Sequence, residues 1–236
     1  FPTALLGFTL NTFQVGQVSL ERVEDLLQRE PRIKNNHKAL TLKHALKGKL
    51  QAKNLTVSYE DSSNEILKGL NFEIQPGELV ALVGPVGCGK TTLARAIGRM
   101  VDVPKGQLFL DEYDVVDLRL EDLRENIALV PQEGYLFTNT LAENLKYGDP
   151  YANKKEVESS AIQARLMDDI KGFPDGFNTL VGERGITLSG GQRQRTALGR
   201  ALLISSPIIV LDDALASVDN KTAAAILSSI RSKTNR

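Results

Sequence analysis

Two hydrophobic rhythms alternate along this chain. Residues 50–59, LQAKNLTVSY, alternate apolar and polar positions and predict a half-buried strand. Ile66 to Ile74 predicts a second, closed after Gln75 by the Pro76-Gly77 turn, with Asp61, Ser62, Ser63 and Asn64 turning the chain between the two. Leu79 to Val83 is short and wholly apolar, the pattern of a strand buried on both faces of a parallel sheet. Gly106 to Leu110 and Asn126 to Pro131 predict two more strands, with a short helix over Leu118 to Glu125 between them. Ile208 to Leu211 is the last clear core strand. Between 139 and 187 the period lengthens. Thr140 to Glu143 has the form of a helix cap with a capping box. Lys154 to Ile170 carries Val157, Ile162, Leu166 and Ile170 at helical spacing, and the turn-rich GFPDGFNTLVGERGI follows. This region predicts a mostly helical insert in an α/β core, or more plainly a set of crossover helices.

The first residues have a different character. Phe1, Ala4, Leu5, Leu6, Phe8, Leu10 and Phe13 belong to an element already under way. Ser19 to Arg29 then places Leu20, Val23, Leu26 and Leu27 on one helical face, and Pro31 marks its end. The alternatives are an amphipathic surface helix or the cytosolic end of a longer helix. From Pro31 to Asn54 there are seven Lys or Arg and no acid. Such a stretch is either a solvated linker or a segment near anionic lipid headgroups.

Composition narrows the function classes. The 236 residues suit one or two domains. Lys+Arg and Asp+Glu are 29 each, so no global charge draws the chain to nucleic acid or acidic membrane. The single Cys88 excludes a disulfide framework and a multi-cysteine metal site. The only histidines, His37 and His44, fall in the basic stretch and are expected to be titratable linker side chains rather than catalysts. No charged n-region marks a signal peptide, and no run of about 18 apolar residues marks a membrane span.

The chemistry lies at the strand ends. Directly after Leu79 to Val83 comes GPVGCGKTT, Gly84 to Thr92, and then the helix-like LARAIGRM. Strand, glycine loop and helix are the context a phosphate loop requires. Glycines let backbone amides turn inward onto phosphate oxygens, and the helix start adds its positive end. Lys90 is placed to reach the β- and γ-phosphates and Thr91 to ligate Mg²⁺. Gln132 stands at the end of a buried strand, where its amide can watch the γ-phosphate, Mg²⁺ or water. Asp212 and Asp213 end the last strand. The first suits Mg²⁺ opposite Thr91, and the second suits orientation of an attacking water. Leu188, Ser189, Gly190, Gly191 and Gln192 precede a helix expected to run to about Ile204, a second anion-binding helix start. One nucleotide is already served by the phosphate loop, so this second loop is expected to serve a nucleotide on another subunit.

GPVGCGKTT at 84–92, LVPQ at 129–132, LSGGQRQR at 188–195 and IIVLDDALASVD at 208–219 together resemble the nucleotide-binding domain of an ATP-binding-cassette (ABC) transporter. Within that family the resemblance is to the exporter type, with membrane and ATPase domains fused in one polypeptide. It covers about residue 49 onward. Residues 1–30 resemble the end of the last transmembrane helix with its cytosolic extension, and 31–48 a basic linker. The resemblance implies an α/β phosphate-loop core with an N-terminal antiparallel β subdomain and a helical subdomain over about 135–190. It also implies ATP with Mg²⁺, and a multi-pass protein in a cell membrane with this domain on the cytoplasmic face. By the same resemblance Tyr59 stacks on adenine. Gly84, Pro85, Val86, Gly87, Cys88, Gly89, Lys90, Thr91 and Thr92 hold the phosphates. Gln132 contacts Mg²⁺ and water. Ser189, Gly190 and Gly191 close on the partner's γ-phosphate. Ser217, Val218 and Asp219 cross the dimer interface, and Val181, Gly182, Glu183, Arg184 and Gly185 couple to the membrane domain.

Three departures matter. The family usually has Glu where this chain has Asp213, one methylene shorter, and a misplacement of ~1 Å costs about a hundredfold in rate. Some heterodimeric bacterial exporters resemble this pattern, with one subunit lending an intact signature to its partner's competent site. A second ABC subunit is therefore the favoured partner over a copy of this chain. Cys88 stands where Ser is commoner, and its alkylation is expected to block ATP binding. The family's switch histidine and next core strand fall after Arg236, so residues 1–236 are expected to turn over weakly by themselves. Two other classes share the motifs: a soluble ABC-type mechanical or nucleic-acid-associated ATPase, and a non-hydrolysing regulatory domain. The near-membrane helix, VGERG and the lack of a long coiled-coil insertion speak against the first. Asp213 keeps the second open. No position identifies the cargo, and no nucleic-acid partner is expected.

Overall fold

The computed structural model describes residues 2–42, 44–59 and 64–234. The turn expected at Asp61, Ser62 and Ser63 lies outside the described residues, as do Phe1 and Lys43. The chain divides into two compact units, one up to Lys34 and one from Asn35 onward. The first is a single helix, α1 (Pro2–Gln28), which ends shortly before Pro31. Leu5, Leu6, Phe8, Leu10 and Phe13 on it are all more than half exposed. Among the described residues no helix is long and apolar enough to cross a membrane.

The second unit opens with an antiparallel sheet. β1 (Leu50–Ser58) pairs with β2 (Glu65–Ile74) on one side. The helix α2 (Lys90–Ile97) follows, and then β3 (Leu108–Leu110), which pairs with the other side of β1. β4 (Tyr113–Asp114) borders β3. The predicted alternation becomes burial at Leu50, Ala52, Leu55 and Val57. The inward side changes from even to odd positions between Ala52 and Leu55, where the ladder shifts register and Asn54 takes φ 51°. Leu93, Ala96 and Ile97 of α2 and Leu123 of α3 (Leu120–Glu125) join this core.

The basic stretch from Asn35 to Lys49 is bound to this sheet. Asp111 accepts the backbone N–H groups of Lys47, Gly48 and Lys49 at 2.7, 3.1 and 2.8 Å. Asp122 accepts that of Leu42 at 2.8 Å. Leu46 is buried in the same core. The stretch has no acids of its own, and the rest of the unit supplies them.

β5 (Ile127–Val130) leads into the insert. β6 (Asn139–Thr140), α4 (Leu141–Lys146), α5 (Lys154–Gln163), α6 (Met167–Gly172) and β7 (Leu180–Val181) enclose a separate core of Leu141, Leu145, Val157, Leu166, Ile170 and Leu188. Thr140 caps α4 by accepting the Glu143 N–H at 3.2 Å. The helix expected over Lys154 to Ile170 is two helices. Arg165 takes φ 56°, and the N–H groups of Arg165 and Leu166 close on the carbonyls of Ile162 and Ala161 at 3.0 and 2.9 Å. This double closure is the usual glycine-type helix end, made here by an arginine. Ile162 is exposed, since α5 turns Val157 and Ala161 inward instead, while Leu166 and Ile170 are buried beyond the break.

α7 (Gly190–Leu203) returns the chain to the core, followed by β8 (Ile208–Leu211) and α8 (Asn220–Thr234). β8 pairs in parallel with β5, Ile127 opposite Ile208 through Val130 opposite Leu211. Leu198 and Leu202 of α7 and Ile226 and Ile230 of α8 bury against this pair. Leu79 to Val83, expected as a strand buried on both faces, is not one. The segment forms no strand, and Leu79 and Val83 are 60% and 92% exposed. A doubly buried strand needs a ladder on its edges. Among the described residues the parallel sheet has two strands, and neither reaches this segment.

Candidate functional site

The glycine loop sits between β2 and α2. Gly89 immediately precedes α2 with φ 96°, a left-handed conformation that favours glycine. A Cβ there would also lie 2.7 Å from Leu67 of β2, so the loop is pressed against the sheet. Lys90 Nζ donates to the carbonyls of Gly84 and Pro85 at 2.8 and 2.9 Å and lies 3.7 Å from Cys88 Sγ. The lysine thus ties the start of the loop to its end. Pro85, Val86, Gly87 and Cys88 are exposed along the loop, and Thr92 is buried beneath it. Tyr59 is one residue past the end of β1 and packs partly buried on the β core. The end of β1 pairs with Glu65, next to Ile66 and Leu67, on which Gly89 rests. Tyr59 and the glycine loop therefore share one end of the sheet.

The parallel pair brings three further predicted residues together. The ladder runs one residue past β8, with the Asp212 N–H donating to Val130 O at 2.9 Å. Gln132 and Asp213 therefore leave the same end of two adjacent strands, where open α/β sheets hold their ligands. Thr91 Oγ1 donates to Asp212 Oδ1 at 2.9 Å, across 121 positions of sequence. Gln132 Nε2 donates to Asp213 Oδ2 at 3.2 Å. Asp213 takes φ 51°, which turns the chain sharply after the strand.

The signature residues form a second cluster. Ser189 caps α7, its hydroxyl accepting the Gln192 N–H at 3.2 Å. The Gln192 side chain accepts the Ser189 N–H in return at 2.9 Å, which completes a capping box. Leu188 is buried in the insert core. A Cβ on Gly191 would lie 3.0 Å from Ser217 O, and Gln194 accepts the Ser217 N–H at 2.8 Å. Ser217 and Asp219 are exposed, whereas Val218 is buried in the core of the parallel pair. Asp219 accepts the Thr222 N–H at 3.0 Å at the start of α8, and this bond holds its carboxyl below the usual range. Of the VGERG segment, Val181 pairs in β7 and Gly185 is buried against Arg193 and Leu136, while Glu183 and Arg184 are exposed. Among the described residues no hydrogen bond joins the glycine loop to the signature. His44 lines a cavity of about 540 Å³ with Lys47, Lys49 and Asp111, which contains none of the residues the sequence predicts for nucleotide.

Sequence reasoning missed the side chains that brace these clusters. Asn144 is buried on α4, accepts the Phe137 N–H at 2.9 Å, and donates to the carbonyls of Phe137 and Thr140 at 2.9 and 3.0 Å. Arg200 of α7 donates to the carbonyls of Asn144 and Tyr135, each at 3.0 Å. Burial pushes its guanidinium pKa down. Asp169 of α6 bonds both Gln192 and Arg195. A polar residue inside an apolar period was the only available signal, and it does not name its partner.

The residues fit ATP with Mg²⁺. The loop has glycine where a side chain would strike β2, and a helix start directly behind it. The Thr91 hydroxyl and Asp212 carboxylate are adjacent hard oxygen donors, the type magnesium prefers. The ABC transporter family profile matches residues 67–216. Over 232 residues the chain is 37% identical to the "Multidrug resistance-like ATP-binding protein MdlA" of Buchnera aphidicola, covering 98% of this chain and 40% of that protein. It is 39% identical over 222 residues to the "ATP-dependent lipid A-core flippase" of Pseudomonas fluorescens, covering 94% of this chain and 36% of that one. A solved bacterial Atm1-family ABC exporter with ATP bound superposes with a TM-score of 0.88 at 34% identity, over 97% of this chain and 40% of its own. The chain thus spans at most 40% of the length of these relatives. With the phosphate-loop fold, the antiparallel sheet and the helical insert all in place, the chain belongs to the ABC transporter family, as an ABC-type ATPase domain that binds ATP and Mg²⁺.

Proposed function

We propose that this domain powers export across a cell membrane, closing head to tail on a second ABC domain with nucleotides sandwiched between them. The observation that carries this reading is the pair of hydrogen bonds Thr91–Asp212 and Gln132–Asp213 at one sheet end beside the glycine loop. The backbone N–H groups of the Gly84 to Thr92 loop, which Pro85 lacks, and the Lys90 ammonium bind the phosphates, and Tyr59 stacks on the base. Thr91 and Asp212 hold Mg²⁺, which supplies positive charge to the phosphate oxygens when bound. Gln132 and Asp213 orient the attacking water, with the Asp213 carboxylate as the candidate proton acceptor. Ser189, Gly190 and Gly191 act on the partner's nucleotide, Ser217 to Asp219 line the interface, and Val181 to Gly185 report closure to the membrane domain. Residues 1–30 continue the last transmembrane helix, 31–48 form the basic connection, and the domain lies on the cytoplasmic face.

The partner is a second, similar ABC subunit rather than a copy. Asp213 is already engaged by Gln132 at 3.2 Å and is one methylene shorter than the glutamate this position usually carries. Its own site is then weak, and its chief contribution is the intact signature. The test is to purify the full-length protein from its native membrane and count co-purifying chains, then measure ATP hydrolysis in lipid nanodiscs. A second ABC subunit at equal stoichiometry and ATP-dependent turnover are expected. Recovery of this chain alone overturns the heterodimer, and failure to bind ATP overturns the whole reading.

A further inference from the structure

We infer that Asp169, a residue of the helical insert outside every motif, is a positioning residue for the signature loop. The inference rests on the reading of that loop as the group that acts on a partner's nucleotide. Its carboxylate takes two charge-assisted or polar bonds at once. Oδ1 accepts from Gln192 Nε2 at 3.0 Å, and Oδ2 accepts from Arg195 Nη2 at 2.7 Å. The other end of the Gln192 amide accepts the Ser189 N–H at 2.9 Å. The glutamine is therefore stretched between the helix cap and Asp169, and its rotamer is set from both sides. Arg195 also faces the loop, since a Cβ on Gly191 would lie 3.6 Å from its Nη1.

Arg195 depends on the same carboxylate. Its side chain is 14% exposed and that of Asp169 is 21% exposed, so the pair is largely shielded from water. Arg195 Nε is buried without a hydrogen bond among the described residues. Removing Asp169 would leave a shielded guanidinium without its carboxylate, a strongly unfavourable arrangement. The guanidinium would then reorient, and Gln192 would lose its second tether. Both changes fall on Ser189 to Gly191, the backbone whose direction decides whether its amides meet a phosphate. Asp169 touches no nucleotide in this scheme. It acts through Gln192 and Arg195, and it links the signature to α6 of the insert.

The test exchanges the two ends of the bond. Gln192→Glu sets two carboxylates against each other. Asp169→Asn removes the charge but leaves one acceptor. In Asp169→Asn/Gln192→Glu the amide and carboxylate trade places, so one hydrogen bond and one negative charge remain beside Arg195. The full-length protein with its partner subunit is assayed in nanodiscs. Gln192→Glu is expected to lower kcat about tenfold, a lost charge-assisted bond expressed as rate. The double variant is expected to recover to within about threefold of wild type. Asp169→Asn alone is expected to lower kcat while the affinity of its own phosphate loop, read with a fluorescent ATP analogue, stays within about twofold. A double variant no faster than Gln192→Glu overturns the inference, as does Asp169→Asn at wild-type kcat or with equally lost nucleotide affinity. A wild-type protein without ATPase activity overturns instead the reading on which it rests.

Discussion

The glycine-loop corner and the signature corner of the same compact unit are built in opposite ways. Around the signature, α7 is capped at Ser189, locked by Asp169 and Arg200, and set on a closed core of the insert. The insert also presses backbone to backbone on α7, since a Cβ on Gly148 would fall 2.2 Å from Arg200 O. Around the phosphate loop, the leading segment Leu79 to Val83 is unpaired and exposed, and the loop is tied chiefly by Lys90 to its own carbonyls. One corner therefore owes its geometry to packing, and the other to a few polar contacts on a glycine backbone. Substitutions of buried packing groups at the first should read out chiefly as stability, and substitutions at the second chiefly as binding of this domain's own nucleotide.

Lys90→Ala is the sharpest separation. On the proposed role of Lys90, it should lower the affinity of this domain's own phosphate loop for a fluorescent ATP analogue by about a hundredfold or more, because an electrostatic clamp on the phosphates is gone. Its unfolding free energy should fall by only about 1 kcal/mol, the net worth of hydrogen bonds made on an otherwise exposed loop. Complete alkylation of Cys88, 3.7 Å from that ammonium, should likewise abolish ATP binding without shifting the thermal midpoint. Full nucleotide affinity after labelling would break the comparison at this corner.

Asn144→Ala is the converse. The side chain is 1% exposed and satisfies three backbone groups of Phe137 and Thr140. Its loss should cost about 2–4 kcal/mol in urea denaturation, the penalty for orphaned buried polar groups. Affinity for a fluorescent ATP analogue in the surviving folded protein should change little. A variant as stable as wild type would show that the insert is not held by this knot.

Asp213→Glu probes the polar corner more gently. The longer side chain should raise turnover by about tenfold if one methylene is what separates Asp213 from a working base. An unchanged rate in single-turnover assays would place the limit elsewhere.

The smallest expected effect is a pH dependence at the start of α8. The Thr222 N–H holds the Asp219 carboxyl below its usual range. A carboxyl lowered in the folded state stabilises fully above about pH 4 and loses that contribution as pH falls through its folded value. Asp219→Asn keeps an acceptor for the cap but does not titrate. The midpoint advantage of wild type over Asp219→Asn should thus be largest near neutral pH and shrink in acid. A difference that does not vary with pH would remove Asp219 as its source.

Legibility in the sequence follows the same division. Strand β1, strand β8 and helix α7 were readable because alternation, an apolar run and a serine with two glycines before a helical stretch are local patterns. Even so, the Arg165 helix end was hidden, since an arginine rather than a glycine adopts the left-handed turn. Leu79 to Val83 was misread because an apolar run states only that it needs cover, not whether a ladder is there to provide it. The basic stretch near Lys47 was open in sequence because Asp111, which grips it, lies more than sixty positions away.

By itself, the sequence determined the chemistry: a glycine loop with Lys90 and Thr91, a strand ending in Asp212 and Asp213, and a second glycine turn before a helix at Ser189. Each of these is written in a few consecutive residues, because dihedral freedom, helix caps and strand ends are short-range properties. Only the tertiary structure decided which groups meet. Thr91 with Asp212, Gln132 with Asp213, and Asp169 with Gln192 and Arg195 are contacts across 121, 81 and 23 to 26 positions. Such pairs are set by ladder register and helix packing, and their energies depend on burial that no local pattern encodes.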